Sequence, residues 1–385
     1  MRIGIITYWQ SYDNYGQLLQ CFALQKYLMN LGYDVFLIRY DFANRKLPSN
    51  KWKRLAKIAL VYPVIKRIFQ YKLRQTRACQ MEDLKEKNRL RKFDDFRKSF
   101  VVSSDLVYHS IEELQNNPPK ADAYITGSDQ VWSQLLNIKE NEVFYLNFGK
   151  TDILRLSYAA SFSMDEYPKP LWGKLHDNLQ RLNAVSVREQ VGVDICKKVG
   201  VNATLVVDPT LLLDCSIYRK LSVKKHIEKY VYIYSLNIAS SAEINYPEIL
   251  RFANKSGAKV IATPASGCLP GLELFESAEY DYATIPNWIA NIDNSVLTVT
   301  TSFHGIVFCL LLHTPFVYVP LRGNLSKMNN RATNLLGRVG LENRILKDSR
   351  SFDEISQTNV NWEQVDEKLY SIRQNSYDFI NFNLR

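Results

Sequence analysis

VLTVTTSFHGIVFCLLLHTPFVYVP, residues 296–320, decides the fold. A β-branched run, Val296–Thr301, is followed by a polar turn, an uncharged segment of helix length and a second run, Phe316–Val319. Strand, helix and strand in this order form a βαβ unit, whose strands lie parallel because the helix crosses over the sheet. Ser302 and His304 stand at the helix start, and the segment from His304 to His313 is apolar on nearly every side, which places it in a core. His304 is thereby delivered to the first turn of a rigidly held helix, beyond the carboxyl end of a parallel strand, where open α/β sheets bind ligands. The positive end of the helix dipole favours an anion there, and an imidazole works as acid or base near neutral pH. The competing role is a core histidine satisfied by backbone groups, which is the role expected of His313.

The same rhythm runs through the chain. Strands are expected at Arg2–Tyr8, Asp34–Tyr40, Ala123–Gly127, Leu156–Phe162, Ala184–Arg188 and Leu205–Asp208, then again at Tyr230–Leu236 and Lys259–Thr263. Helices are expected at Gly16–Leu31, Glu243–Ser256, Leu325–Gly340 and Trp362–Phe382. A chain of 385 residues exceeds what one core usually serves. The division expected is a first α/β domain over 1–215, a second over 216–350 and a helical tail, 351–385, crossing back onto the first.

The net charge of +10 is local, because residues 51–100 hold sixteen Lys/Arg against five Asp/Glu. They read as a basic helical insertion at about 45–105. KWKRLAKIALVYPVIKRIFQYKLR sets Trp52, Ile58, Tyr62, Ile65 and Phe69 among its cations, with Pro63 as a break. Such a segment suits either an anionic membrane surface or packing on its own domain with solvated charges. Charge confined to one segment argues against nucleic acid. The N-terminus reads as a strand rather than a leader, and the six cysteines show no metal or disulfide spacing, so a cytoplasmic chain without bound metal is expected. The uncharged run Asn294–Leu321 is broken by polar residues and Pro315, unlike a membrane span.

Three further strand ends carry polar groups. Asn14, Tyr15 and Gly16 open the first helix, where backbone N–H groups can meet an anion or Asp13 or Asn14 can cap. Ser128, Asp129, Gln130 and Trp132, in TGSDQVW, suit hydrogen bonding and stacking of a sugar, or a plain helix cap. Arg188 ends an apolar strand, with Glu189 as a trivial partner or an anionic substrate as the sharper one. No GxGxxG follows the first strand, and P-loop, HExxH and GxSxG patterns are absent.

Taken together, NYGQLLQCFALQKYL (14–28), GSDQVW (127–132), SYAASF (157–162), SVRE (186–189), DPTLLL (208–213) and TSFHG (301–305) resemble the polysaccharide pyruvyl transferase family. The resemblance implies two Rossmann-like domains facing across a cleft, similar to the GT-B class of glycosyltransferases. It implies transfer of the enolpyruvyl group of phosphoenolpyruvate to a sugar of a capsular or other exopolysaccharide precursor, giving a pyruvate ketal and phosphate, with no cofactor. The acceptor is commonly polyprenyl-linked at the inner membrane face, which would give the basic segment a peripheral membrane role. In this setting His304 is the expected acid, or the group that steadies the departing phosphate, and Asp129 a carboxylate able to take the hydroxyl proton. Arg188, Ser302 and Gly305 would hold the donor, and Asn14, Tyr15, Gly16, Ser128, Gln130 and Trp132 would line the acceptor side. Family members often have arginine where this chain has Ser302. Arg331, with Lys327 and Arg322 behind it, is the expected replacement cation. A nucleotide-sugar glycosyltransferase of the same shape is the second reading, and a non-catalytic surface-binding protein the third.

Overall fold

In the computed structural model, which describes residues 1–11, 14–41, 88–133, 141–223, 226–265, 274–347 and 351–384, the chain forms two parallel sheets of five strands each. The first holds β1 (Arg2–Ile6), β2 (Asp34–Tyr40), β3 (Ser103–Tyr108), β4 (Ala123–Thr126) and β5 (Leu154–Ser157), in the order β3-β2-β1-β4-β5. A short parallel pair, β6 (Ser186–Val187) and β7 (Thr204–Leu205), extends it through bridges from Leu156 to Ala184 and Ala160 to Val187. The second holds β8 (Tyr230–Ser235), β9 (Lys259–Pro264), β10 (Glu279–Tyr280), β11 (Leu297–Thr300) and β12 (Phe316–Tyr318), in the order β10-β9-β8-β11-β12. Counted within its own half, each sheet runs 3-2-1-4-5, the order of the first five Rossmann strands.

The central strands are covered on both faces, so they are buried throughout rather than alternately. YVYIYS in β8, AYIT in β4 and LTVT in β11 are buried at every position. The Phe303–Leu312 helix is likewise buried along its whole length.

Strand order reverses between β1 and β4 in one sheet and between β8 and β11 in the other, and ligands bind beyond the carboxyl ends at such points. The two reversals are brought against each other by a core that runs through both domains. Tyr15 carries much of that contact. Its ring stacks on Trp288 with centroids 5.2 Å apart, and its hydroxyl donates to the Ala283 carbonyl at 2.6 Å. Buried Arg91 adds a polar tie, donating to the Tyr15 hydroxyl at 2.7 Å and to the Pro264 carbonyl at 2.6 Å. The Trp362–Asn383 helix returns to the first sheet, where Ser376 Oγ accepts from the Val207 N–H at 2.9 Å and Tyr377 stacks on Tyr27. The molecule is thus an α/β protein of two Rossmann-like domains facing across a narrow cleft.

Several sequence expectations need correction. β3 and β10 were not foreseen, since both are sheet edges: β3 buries fully only Tyr108, and β10 is two residues long. The run expected at Leu156–Phe162 pairs as Leu154–Ser157, because Ala159, at φ 52°, turns the chain out of extended geometry. His313 is not a core residue. It is the exposed, left-handed C-cap of its helix, with Nε2 2.9 Å from Asp366 and its ring stacked on Trp362. The single helix expected at Leu325–Gly340 is a 3₁₀ segment, Gly323–Asn329, followed by an α-helix, Asn330–Val339.

Most of the basic insertion, 42–87, lies outside the described residues. Among the described residues, no helix is long and apolar enough to cross a membrane. The uncharged run that imitates a span is divided between β11, a buried helix and β12.

Candidate active site

Asp208 is the hub of the site. It follows β7, and its cap on Thr210 fixes the carboxylate, because Oδ1 accepts from the Thr210 N–H at 3.0 Å and hydroxyl at 2.6 Å. Oδ2 accepts from Arg188 Nη1 at 2.6 Å and from Ser128 Oγ at 3.3 Å, and lies 3.5 Å from His304 Nε2. Burial alone would raise this carboxyl, but His304, Arg188 and Thr210 outweigh it and hold it well below the usual carboxylate range. An ionised, desolvated aspartate therefore joins the end of the first domain to the catalytic candidate of the second.

His304 is fixed from both domains. Ser302 caps its helix, with Oγ accepting from the Gly305 N–H at 3.2 Å, and Thr301 ties the strand end to the Leu236 carbonyl at 2.9 Å. Gly305 must be small, because a Cβ there would stand 2.3 Å from Thr300 Oγ1. On the other side the imidazole rests on Gly16, where a Cβ would lie 2.0 Å from its Nδ1. The glycine that opens the first helix is the seat of a histidine 288 positions later.

Two guanidinium groups share the ring of Phe303, Arg188 at 5.0 Å and Arg331 at 5.7 Å from its centroid. Arg188 has Asp129 3.7 Å from Nη2 and Glu189 3.9 Å from Nε, besides its bond to Asp208. Burial would lower its pKa, but these three carboxylates raise it. Arg331 lacks a comparable partner. Burial and the nearby Arg188 charge lower its pKa, and the Gln130 amide oxygen, oriented toward its donors, accepts from Nη2 at 2.8 Å. Among the described residues, four buried polar N atoms at this point have no hydrogen-bond partner: Arg188 Nε and Nη2, Arg331 Nε and His304 Nε2. Buried donors are almost always paired, so their convergence marks a place that takes an acceptor-rich group.

The residues singled out from sequence divide into three groups. Gly16, Ser128, Asp129, Gln130, Arg188, Ser302, His304, Gly305 and Arg331 come together here. Asp129 sits at φ 74°, a region non-glycine residues rarely occupy, and accepts from Gln17 Nε2 at 3.1 Å. Asn14 and Tyr15 stand at the edge in supporting roles: Asn14 caps the first helix, and Tyr15 is the buried interdomain anchor. Trp132 and Lys327 are placed elsewhere. Trp132 is 1% exposed, stacked on Tyr145 with its indole N–H on the Phe144 carbonyl, so no ring face is free for a sugar. Lys327 is exposed and faces Asp165 at 3.4 Å.

Asp208 and Phe303 were in quoted motifs without a role. The only sequence signal for Asp208 was a carboxylate directly after an apolar strand, the same signal that marked Arg188. Among the described residues, no group of three His, Cys, Asp or Glu is placed to hold a metal. Cys21, Cys196 and Cys309 are buried, which pushes each thiol up to about 12, so they act as small apolar residues.

Among solved structures, the chain is similar to MurG of Acinetobacter baumannii, at 9% identity and TM-score 0.41, covering 100% of this chain and 99% of that one. It is similar to an α-glucosyltransferase in complex with UDP and DNA, at 11% identity and TM-score 0.46, covering 99% and 100%. A third likeness is to UDP-GlcNAc 2-epimerase from Neisseria meningitidis, at 7% identity and TM-score 0.45, covering 98% and 100%. No curated protein sequence matches the chain. The sequence profile of the polysaccharide pyruvyl transferases matches residues 14–321, a stretch that includes Gly16, Asp129, Arg188, Asp208 and His304. The chain belongs to the polysaccharide pyruvyl transferase family.

Proposed function

We propose that the chain transfers the enolpyruvyl group of phosphoenolpyruvate to a sugar of a surface or capsular polysaccharide precursor, forming a pyruvate ketal and releasing phosphate. The observation that carries this is the set of buried nitrogen atoms on Arg188, Arg331 and His304 that lack a hydrogen bond. Phosphoenolpyruvate brings a carboxylate and a phosphate, and two guanidinium groups at one aromatic ring match two anionic groups better than one. Arg331 takes the place of the arginine expected where Ser302 stands, in contact with the ring of the adjacent Phe303.

Protonated His304 gives its proton to the methylene carbon, so positive charge develops at the neighbouring carbon. One sugar hydroxyl adds there and loses its proton to a carboxylate of the cluster. A second hydroxyl then displaces phosphate, which leaves with that hydroxyl's proton. Two C–O bonds form to the acceptor and one breaks to phosphate, with no redox change. Asp208 Oδ2 faces the His304 ring nitrogen at 3.5 Å and helps to hold the imidazole in place for that step. The catalytic side chains are closed to solvent in this conformation, so the sheets must part for substrates to reach them.

The acceptor is expected to be a polyprenyl-linked saccharide at the inner membrane face, approached through the basic segment 51–100. Incubation of the enzyme with phosphoenolpyruvate and a candidate saccharide tests the reaction by mass spectrometry. The pyruvyl increment with equimolar phosphate supports it. Conversion of a nucleotide sugar, with phosphoenolpyruvate inert, favours glycosyl transfer instead.

A further inference from the structure

We propose that Glu189 is a second catalytic residue, the base that accepts the proton of the attacking sugar hydroxyl. The proposal rests on the pyruvyl-transfer reading and assigns one step within it. Glu189 stands two residues beyond β6, next to Arg188 and at the N-cap of the Gln190–Lys198 helix, so the strand end that delivers Arg188 delivers this carboxylate too. It is 5% exposed. Its two oxygens are treated differently. Oε1 accepts from Ser161 Oγ at 2.6 Å, which fixes the plane of the carboxylate. Oε2 is buried without any hydrogen-bond donor, 3.9 Å from Arg188 Nε, which is itself buried without an acceptor.

A carboxylate oxygen and a guanidinium N–H that face each other too far apart to bond are each left unsatisfied, and one group that donates to the first and accepts from the second satisfies both once the sheets part. A hydroxyl does both. The anion of phosphoenolpyruvate can satisfy Arg188 and Arg331 but offers nothing to Glu189 Oε2, so the unpaired oxygen calls for the acceptor rather than the donor. Of the two other carboxylates at Arg188, Asp208 is bonded to Arg188 itself, and Asp129 accepts from Gln17 at 3.1 Å and lies 3.7 Å from Arg188 Nη2. Its role is to hold Gln17 and Arg188 in register.

As the hydroxyl oxygen bonds to the central carbon, its proton passes to Glu189 Oε2 while His304 has given one to the methylene. The second hydroxyl's proton departs with phosphate. Return of the proton from Glu189 to His304 resets both groups.

Glu189→Gln keeps the shape and the Ser161 contact but removes the base. It is expected to lower kcat about 10²–10⁴-fold, the range of general base catalysis, while the rise in Tm caused by phosphoenolpyruvate persists. In Glu189→Ala, added formate is expected to restore part of the turnover, which a merely structural glutamate would not permit. Turnover within about threefold of wild type in Glu189→Gln, or loss of its phosphoenolpyruvate-dependent Tm rise, overturns the assignment. A folded Glu189→Ala enzyme without formate rescue also overturns it. If the wild-type enzyme itself makes no ketal, the pyruvyl-transfer reading falls; if it does and Glu189→Gln does equally, only the role of Glu189 falls.

Discussion

Asp208 of the first domain lies 3.5 Å from His304 of the second, and the same carboxylate oxygen takes a 2.6 Å bond from Arg188. One buried anion thus couples the residue that would protonate the donor to a residue that would hold it. Because Asp208 has no exposed side-chain surface, the coupling is not screened by solvent as a surface pair would be.

Replacing this carboxylate tests that coupling. Asp208→Asn leaves Arg188 buried with its nearest partner removed, a change that costs about 3–5 kcal/mol for buried pairs. The folded carboxyl titrates below the unfolded one, whose pKa is about 3.9. Its stabilisation is therefore complete above about pH 4 and is lost as pH falls below that toward the folded value. Urea unfolding at several pH values is expected to show a wide gap between wild type and Asp208→Asn at neutral pH that narrows under acid. A gap that is constant or widens would count against the ionised, paired aspartate.

Gly16→Ala sets helix stability against histidine placement. Alanine is the better helix former, by about 1 kcal/mol, and Gly16 is in the first turn of its helix. The new Cβ, however, would fall 2.0 Å from His304 Nδ1, so the ring must move. Displacement of a catalytic group by about 1 Å can cost around 10²-fold in rate. Turnover is expected to fall by that order, with Tm lowered as well because the clash extends to the His304 Cβ at 2.6 Å, and normal turnover would show that the ring is not seated there.

Arg331 offers a cleaner probe of donor binding than Arg188, which is committed to Asp208. Burial and Arg188 both work against its charge, so an anion should relieve it. Arg331→Ala is expected to raise KM for phosphoenolpyruvate about tenfold or more and to abolish most of the ligand-induced Tm rise, with a smaller effect on kcat. An unchanged KM would leave the cation missing at Ser302 without a replacement.

Trp132 was expected to stack on a sugar, and its position in the core makes a different outcome the expected one. Trp132→Ala should cost about 3–5 kcal/mol by denaturation, whereas Trp132→Phe should retain acceptor KM. A stable Trp132→Ala chain with selectively weakened acceptor binding would restore the first expectation.

The two sheets were legible because buried parallel strands are written as unbroken β-branched and aromatic runs, as in Tyr230–Ser235 and Leu297–Thr300. Edges were not: among the described residues Ser103–Tyr108 pairs on one side only, so nothing there forces it to be apolar. The site was legible one strand end at a time. What the sequence could not display was the meeting of those ends, since Gly16 and His304, or Ser128 and Asp208, are joined by the packing of distant elements. Trp132 misled for the same reason. A tryptophan after a polar turn looks the same whether Tyr145 or a sugar ring covers it.

The most direct test is phosphate release from phosphoenolpyruvate and an accepted saccharide by His304→Ala beside the wild type, with ligand-induced Tm shifts recorded for both. Release is expected to fall by at least about 10²-fold, with the fold intact and donor binding retained in part through Arg188 and Arg331. Release near the wild-type rate would contradict the placement of the chemistry at His304.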